Sequence, residues 1–190
     1  KTKKTYELVR VSQKGGEVEV VATWDRKAGK KCRISGVAVS EKNAFVADWH
    51  GRRLIRVALA DGQIKVLAKG YPFPQNIILD GDSFLFQSSR GVFRIAQAGG
   101  KAKKISSNGI SPFHTVAAND TDLYIIAEDA YASSGAIERV PLAGGETKKL
   151  TAWRVRGDLG SGINQIGADD QCVYYTKTQS DYTSITARLK

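Results

Sequence analysis

LVRVSQKGGEVEVV, residues 8–21, reads as two short alternating strands around a pair of glycines. The same phrase returns as LIRVALADGQIKVL from Leu54, VFRIAQAGGKAKKI from Val92 and IERVPLAGGETKKL from Ile137. Each copy places an apolar residue two positions before an Arg and a β-branched residue directly after it. A glycine-containing turn and a second alternating segment complete it. Glycine lacks a Cβ and adopts the positive φ that a tight hairpin demands. Two-residue turns are therefore predicted at Gly15-Gly16, Asp61-Gly62, Gly99-Gly100 and Gly144-Gly145.

The arginines set the period. Arg10, Arg56, Arg94 and Arg139 lie 46, 38 and 45 residues apart, and Arg188 follows 49 later. Between the marked hairpins sits a second kind: GVAVSEKNAFVAD (36–48), NIILDGDSFLFQS (76–88), TVAANDTDLYIIAED (115–129) and QIGADDQCVYYTK (165–177). In each, a small or aliphatic strand leads through an Asp/Asn/Gly/Ser-rich turn to a more aromatic strand. Two hairpins per period of about 40–50 residues is the pattern of a four-stranded propeller blade. The expectation is an all-β chain, a β-propeller of four-stranded antiparallel blades. Residues 6–23 supply a partial blade, 35–69, 73–107 and 113–152 three whole ones, and 163–190 a final partial one. That makes four to four and a half blades in a single domain, 1–190, or a fragment of a larger ring. The third strand of a blade occurs in both partial pieces, one strand too many for simple closure. The favoured reading is a fragment of a larger propeller, or one half of a ring completed by a second copy or another chain, and a closed four-bladed ring with a displaced or five-stranded final sheet is the alternative.

With 190 residues, 42% of them hydrophobic, the chain is long enough to bury a core. No apolar run approaches the roughly 18 residues of a membrane span, so no membrane span is expected. The formal net charge of +10 favours acidic partners through long-range attraction. Lysine pairs such as Lys103 with Lys104 and Lys148 with Lys149, however, are what solvated edge strands carry against edge-to-edge pairing. Nucleic acid is accordingly not the expected partner. Cys32 and Cys172 admit one disulfide or two buried thiols, and neither has a second Cys or a His at metal-ligand spacing.

The longest departures from the repeat are DRKAGKKCR (25–33), WRVRGDLGSG (153–162), DAYASSG (129–135) and TQSDYTS (178–184). In a propeller, the loops from second to third strand and from blade to blade project on one face, so the elaborated side is a single side. Insertions of this kind often carry function. Trp49, His50, Arg52, Arg53, Arg90, His114, Asp129, Tyr131, Asp181 and Tyr182 fall in such loops and are the expected ligand-binding set. Tyr71, Phe73 and Phe113 add aromatic surface to the same loops, and aromatic faces beside guanidinium groups suit sugars, peptides or nucleobases. Asp48 and Glu128, at the ends of aromatic strands, are the candidate metal ligands, with Ca²⁺ as the ion that oxygen donors would take. Turn formation by Asp side chains is the competing explanation. The repeated arginines read as structural, and no serine elbow, phosphate loop or paired-cysteine zinc site occurs.

FVADWHGRRLIRVALADGQIKVLAKGYPFPQNIILDGDSFLFQS (45–88) resembles the YWTD-type propellers of lipoprotein receptors and their bacterial relatives. It shares an aromatic strand ending in Asp, an I-x-R strand, a D-G turn and a later Pro before an apolar strand. VPLAGGETKKLT (140–151) resembles the bacterial members with repeated R-V-P-L-A-G-G units. Only the aromatic and the Asp of the YWTD tetrad persist in Phe45-Val46-Ala47-Asp48. The functional expectation is a non-enzymatic binding module, secreted or periplasmic, that presents its loop-rich face to a protein or glycan. A Ca²⁺-dependent propeller hydrolase or lactonase is one alternative, and a basic polyanion binder the other.

Overall fold

The computed structural model describes residues 5–25, 33–106, 116–128, 134–154, 162–178 and 184–189. Every regular element among them is a strand. β1 (Thr5–Arg10) and β2 (Glu19–Asp25) form a two-stranded sheet. β3 (Ile34–Val39), β4 (Asn43–Asp48), β5 (Arg53–Ala58) and β6 (Ile64–Lys69) form a four-stranded one. A second four-stranded sheet holds β7 (Gln75–Asp80), β8 (Ser83–Ser88), β9 (Gly91–Ala96) and β10 (Lys103–Ser106). The third holds β11 (Val116–Ala118), β12 (Asp122–Glu128), β13 (Ser134–Pro141) and β14 (Lys148–Arg154). A three-stranded sheet of β15 (Gly162–Ala168), β16 (Val173–Thr178) and β17 (Ser184–Leu189) comes last. Sequence neighbours are sheet neighbours throughout, an antiparallel meander in each case. Among the described residues no helix is long and apolar enough to cross a membrane.

By compactness the chain groups into two units, Lys1–Phe84 with Ile95–Ala102 and Leu85–Arg94 with Lys103–Lys190. The first has a core of Ala22, Ala44, Val46, Ile55 and Val57, flanked by Leu8, Val21, Trp24, Ile34 and Leu59. Phe45 packs on Phe84 at 4.9 Å between ring centres. Strand β4 is buried on both faces from Ala44 to Asp48, which is why its sequence runs apolar instead of alternating. The second unit is built on Ala117, Tyr124, Ile126, Ile137 and Val173. Each fully buried Phe or Ile contributes on the order of 1.5–3 kcal/mol by leaving water.

The two kinds of hairpin are held differently. The β3–β4, β11–β12 and β15–β16 turns share one device, in which the first turn residue accepts a backbone N–H two or three residues on. Ser40 Oγ takes the Asn43 N–H at 3.2 Å. Asn119 Oδ1 takes those of Thr121 and Asp122 at 3.1 and 2.9 Å. Asp169 Oδ1 takes those of Gln171 and Cys172. Short polar side chains compete well for such local donors.

The glycine turns depart from expectation. All the glycines named above have positive φ, from +69° at Gly62 to +132° at Gly145. The connections are nevertheless longer than two residues: 11–18, 59–63, 97–102 and 142–147. The cause is a loop of chain that closes before the strand resumes, with Gly15, Gly62, Gly99 and Gly144 donating to the carbonyls of Ser12, Ala58, Ala96 and Pro141. Each following outer strand also carries a β-bulge. The register slips past Val21, Leu67, Ile105 and Leu150, and these are the last residues of the four fourteen-residue repeats. One extra residue on one strand bends it and raises its twist. In the first compact unit each bulge meets the next glycine turn. A Cβ on Gly62 would overlap the Val21 carbonyl oxygen, and one on Gly99 would come within 3.2 Å of Leu67 Cδ2. These two glycines therefore answer to close approach as well as to φ.

The marker arginines do not share one contact. Arg10 forms a two-pronged pair with Glu19 on β2, at 2.8 and 2.9 Å. Hydrogen bonding to Arg10 holds the Glu19 carboxyl below its ordinary value. Arg139 Nε donates to Asp122 Oδ1 at 2.8 Å, and that bond draws the buried Asp122 carboxyl down against the opposing effect of burial. In these two the role is ionic within a sheet, toward the following strand in one and the preceding strand in the other.

Candidate functional site

The start of β3, the end of β4, the start of β5 and the end of β6 lie on one edge of their sheet, as antiparallel pairing requires. Asp48 closes β4 opposite Arg53, leaving residues 49–52 as the loop. Asp48 is 2% exposed. Its Oδ1 accepts the Gly51 N–H and its Oδ2 accepts Arg53 Nε, both at 2.8 Å. A Cβ on Gly51 would overlap this pinned carboxylate. The motif D-W-H-G-R-R is thus a turn wound around its own Asp, stabilised by a charge-assisted bond.

That turn is tied to its neighbours on both sides. The Trp49 N–H donates to the Arg33 carbonyl at 3.0 Å, and the Gly70 N–H to the Arg52 carbonyl at 2.8 Å. Above these bonds Trp49 stacks against Phe73 of the β6–β7 loop, 5.0 Å between ring centres and tilted by 38°. The Arg33 guanidinium carbon lies 5.1 Å from the Trp49 ring centre, within cation–π range. Phe73 is 44% exposed. Arg33, Arg52 and Lys69 are also exposed. Arg52 and Phe73 have φ of +53° and +52°, and Asn76 of +48°, the three non-glycine residues with positive φ among those described. For a bulky residue such a φ is a genuine outlier.

The expected ligand-binding residues are distributed as follows. Trp49, His50 and Arg52 come together in this one loop, and Arg53 opens β5 beside it. Arg53 is spent on Asp48, and Nδ1 of the half-buried His50 is itself buried without a hydrogen-bond partner. Arg90 is exposed in the β8–β9 loop, where its N–H bonds to Ser88 Oγ at 3.1 Å. His114, Asp129, Tyr131, Asp181 and Tyr182 lie outside the described residues, as does Cys32. Of the two candidate metal ligands, Asp48 has both oxygens engaged in the turn, and Glu128 is described only by its backbone at the end of β12. Among the described residues no group of three or more His, Cys, Asp or Glu is placed to hold a metal ion. Phe73, expected as aromatic surface on these loops, and Arg33, which the sequence does not single out, complete the cluster. Their recruitment depends on backbone bonds and a positive φ that leave no mark in sequence.

No protein-family model matches the chain, and no curated protein matches it. Solved structures do. A crystal structure of a nidogen/laminin complex matches with a TM-score of 0.57 at 14% identity, covering 91% of this chain and 80% of that one. Streptogramin B lyase matches at 0.60 and 16%, covering 97% and 62%. The extracellular domain of a hybrid two-component system from B. thetaiotaomicron matches at 0.58 and 11%, covering 90% and 25%. The chain spans less than two thirds of the latter two. Such identities carry fold alone, and a fold shared by a binding complex and a lyase assigns no chemistry. The fold is a β-propeller of four-stranded antiparallel blades.

Proposed function

We propose that this chain is a non-catalytic propeller binding module, akin to the bacterial YWTD-like repeat propellers. It works outside the cytoplasm and grips a protein partner through the Arg33–Trp49–Phe73 patch with Arg52 beside it. One observation carries the reading: all three described non-glycine residues with positive φ, Arg52, Phe73 and Asn76, lie in or beside this patch. Each costs on the order of 1–3 kcal/mol, and strain of that size clusters where a surface is shaped for use. The result is an exposed aromatic ring backed by a second ring and a stacked guanidinium, the side-chain types that dominate interface hot spots. The nidogen/laminin complex is a precedent for protein partners on this fold. A Ca²⁺-dependent hydrolase would draw on Asp48, whose oxygens already serve the turn. Among the described residues none is hydrogen-bonded to Nδ1 of His50.

The test is a panel of immobilised peptides and glycans probed with the wild-type chain and with Phe73→Ala. Because Phe73 is exposed, its truncation should leave Tm unchanged while weakening at least one specific ligand about tenfold or more. If both proteins bind every positive equally, the patch is not the binding surface.

A further inference from the structure

We infer that the partner segment is acidic, a peptide stretch or loop with a carboxylate within a residue or two of an apolar side chain. This deepens the patch reading and rests on it. Charge at the patch is unbalanced among the described residues. Arg33 at the Trp49 ring, Arg52 in the same loop and Lys69 at the adjoining end of β6 are exposed, and no described carboxylate pairs with any of them. The carboxylate of this loop, Asp48, is buried and already neutralised by Arg53. Lys69 stands directly across from Arg53 in the β5–β6 ladder, and with Arg53 compensated by Asp48 the positive charge left at this edge is that of Arg33, Arg52 and Lys69.

The donor inventory points the same way. Arg and Lys side chains donate only. The Asp48 oxygens are used, and His50 Nδ1 is buried. A neutral sugar needs acceptors for its hydroxyl protons, and this surface offers mostly N–H. A carboxylate needs donors alone, and a guanidinium stacked on a ring keeps its in-plane N–H groups for such a guest. The exposed Phe73 ring then takes the adjoining apolar side chain. Nucleic acid, which also seeks cations, is favoured by successive aromatic platforms along a groove, and this patch has one exposed ring.

The experiment is selection of a random dodecamer phage library on the wild-type chain, followed by anisotropy with the best peptide. Enriched Asp or Glu beside Phe, Leu or Trp is expected. The peptide should bind about tenfold more tightly than its Asn/Gln counterpart, the loss expected for a desolvated charge pair. Arg52→Gln and Arg33→Gln should each shrink that advantage several-fold, as should added salt. Sequences without acidic enrichment, an amide peptide that binds equally well, or a preference for oligothymidylate or a uronic-acid oligosaccharide overturns the inference. If Phe73→Ala still abolishes binding of a neutral ligand, the patch survives and only its acidic specificity falls. If Phe73→Ala affects no ligand, both fall.

Discussion

The two edges of the same sheets follow different rules. On one edge, carrying the β3–β4, β11–β12 and β15–β16 turns and the glycine turns, the same solution recurs from blade to blade: a short polar cap, or a positive-φ glycine followed by a bulge. On the other, equivalent loops diverge. The β4–β5 loop spends four residues and an Asp on holding Trp49 and Arg52 in place, whereas the β8–β9 loop crosses with Ser89 and Arg90 and a serine in the place of the Asp. Repetition marks the edge selected for packing, and strain at non-glycine residues marks the edge selected for something else.

The contrast breaks most easily at Gly62. An alanine there meets both a φ of +69° and the Val21 carbonyl, so Gly62→Ala should destabilise by about 2–4 kcal/mol, the sum of left-handed strain and overpacking. Gly144→Ala, with nothing within 4 Å, should show the φ penalty alone. Chemical denaturation of the pair checks this, and equal losses would remove close approach as a cause. Neither variant should alter patch binding by its folded fraction.

A smaller effect is pH-dependent. The Asp122 carboxyl sits below its ordinary value because Arg139 and Thr121 bond to its charged form. Its folded-state pKa is therefore lower than its unfolded one. The stability it supplies is full above the usual carboxylate range and is lost as pH falls through the depressed value. Asp122→Asn should lose about 1 kcal/mol at neutral pH, the bond being charge-assisted but its partner half-exposed. Thermal unfolding of the two proteins should converge as pH falls through the depressed Asp122 value, and a gap independent of pH would assign the effect to packing.

The smallest effect has the opposite sign. Arg52→Gly replaces a strained residue with one at ease at +53°, so stability should hold or rise by up to about 1 kcal/mol while acidic-peptide binding weakens. A clear loss of stability would mean that the Arg52 side chain holds the loop, making the two edges less different than they look.

Much of the fold was legible in the sequence because its signals are local. The hairpins declare themselves by alternation and by glycine, and the four positive-φ turns lie where those glycines stand. The bulges were invisible: Val21, Leu67, Ile105 and Leu150 read as ordinary apolar strand residues, and only the opposing strand reveals the slipped count. The site was half legible. Trp49, His50, Arg52 and Arg53 drew notice as a loop rich in binding residue types, but their division of labour depends on which atom bonds to Asp48. Phe73 reaches Trp49 from 24 positions away through a backbone conformation that the following Pro74 gives no hint of.

The slipped count in β2, β6, β10 and β14 also governs what other molecules can do to this one. Each is the outermost strand of its sheet, the place where a foreign strand would add and begin a fibril. An edge with one residue too many offers its hydrogen-bonding groups out of step, so an approaching regular strand matches it for a few residues and then loses register. The apolar residue that ends every repeat thus stands at the point where an added strand would lose step with the sheet.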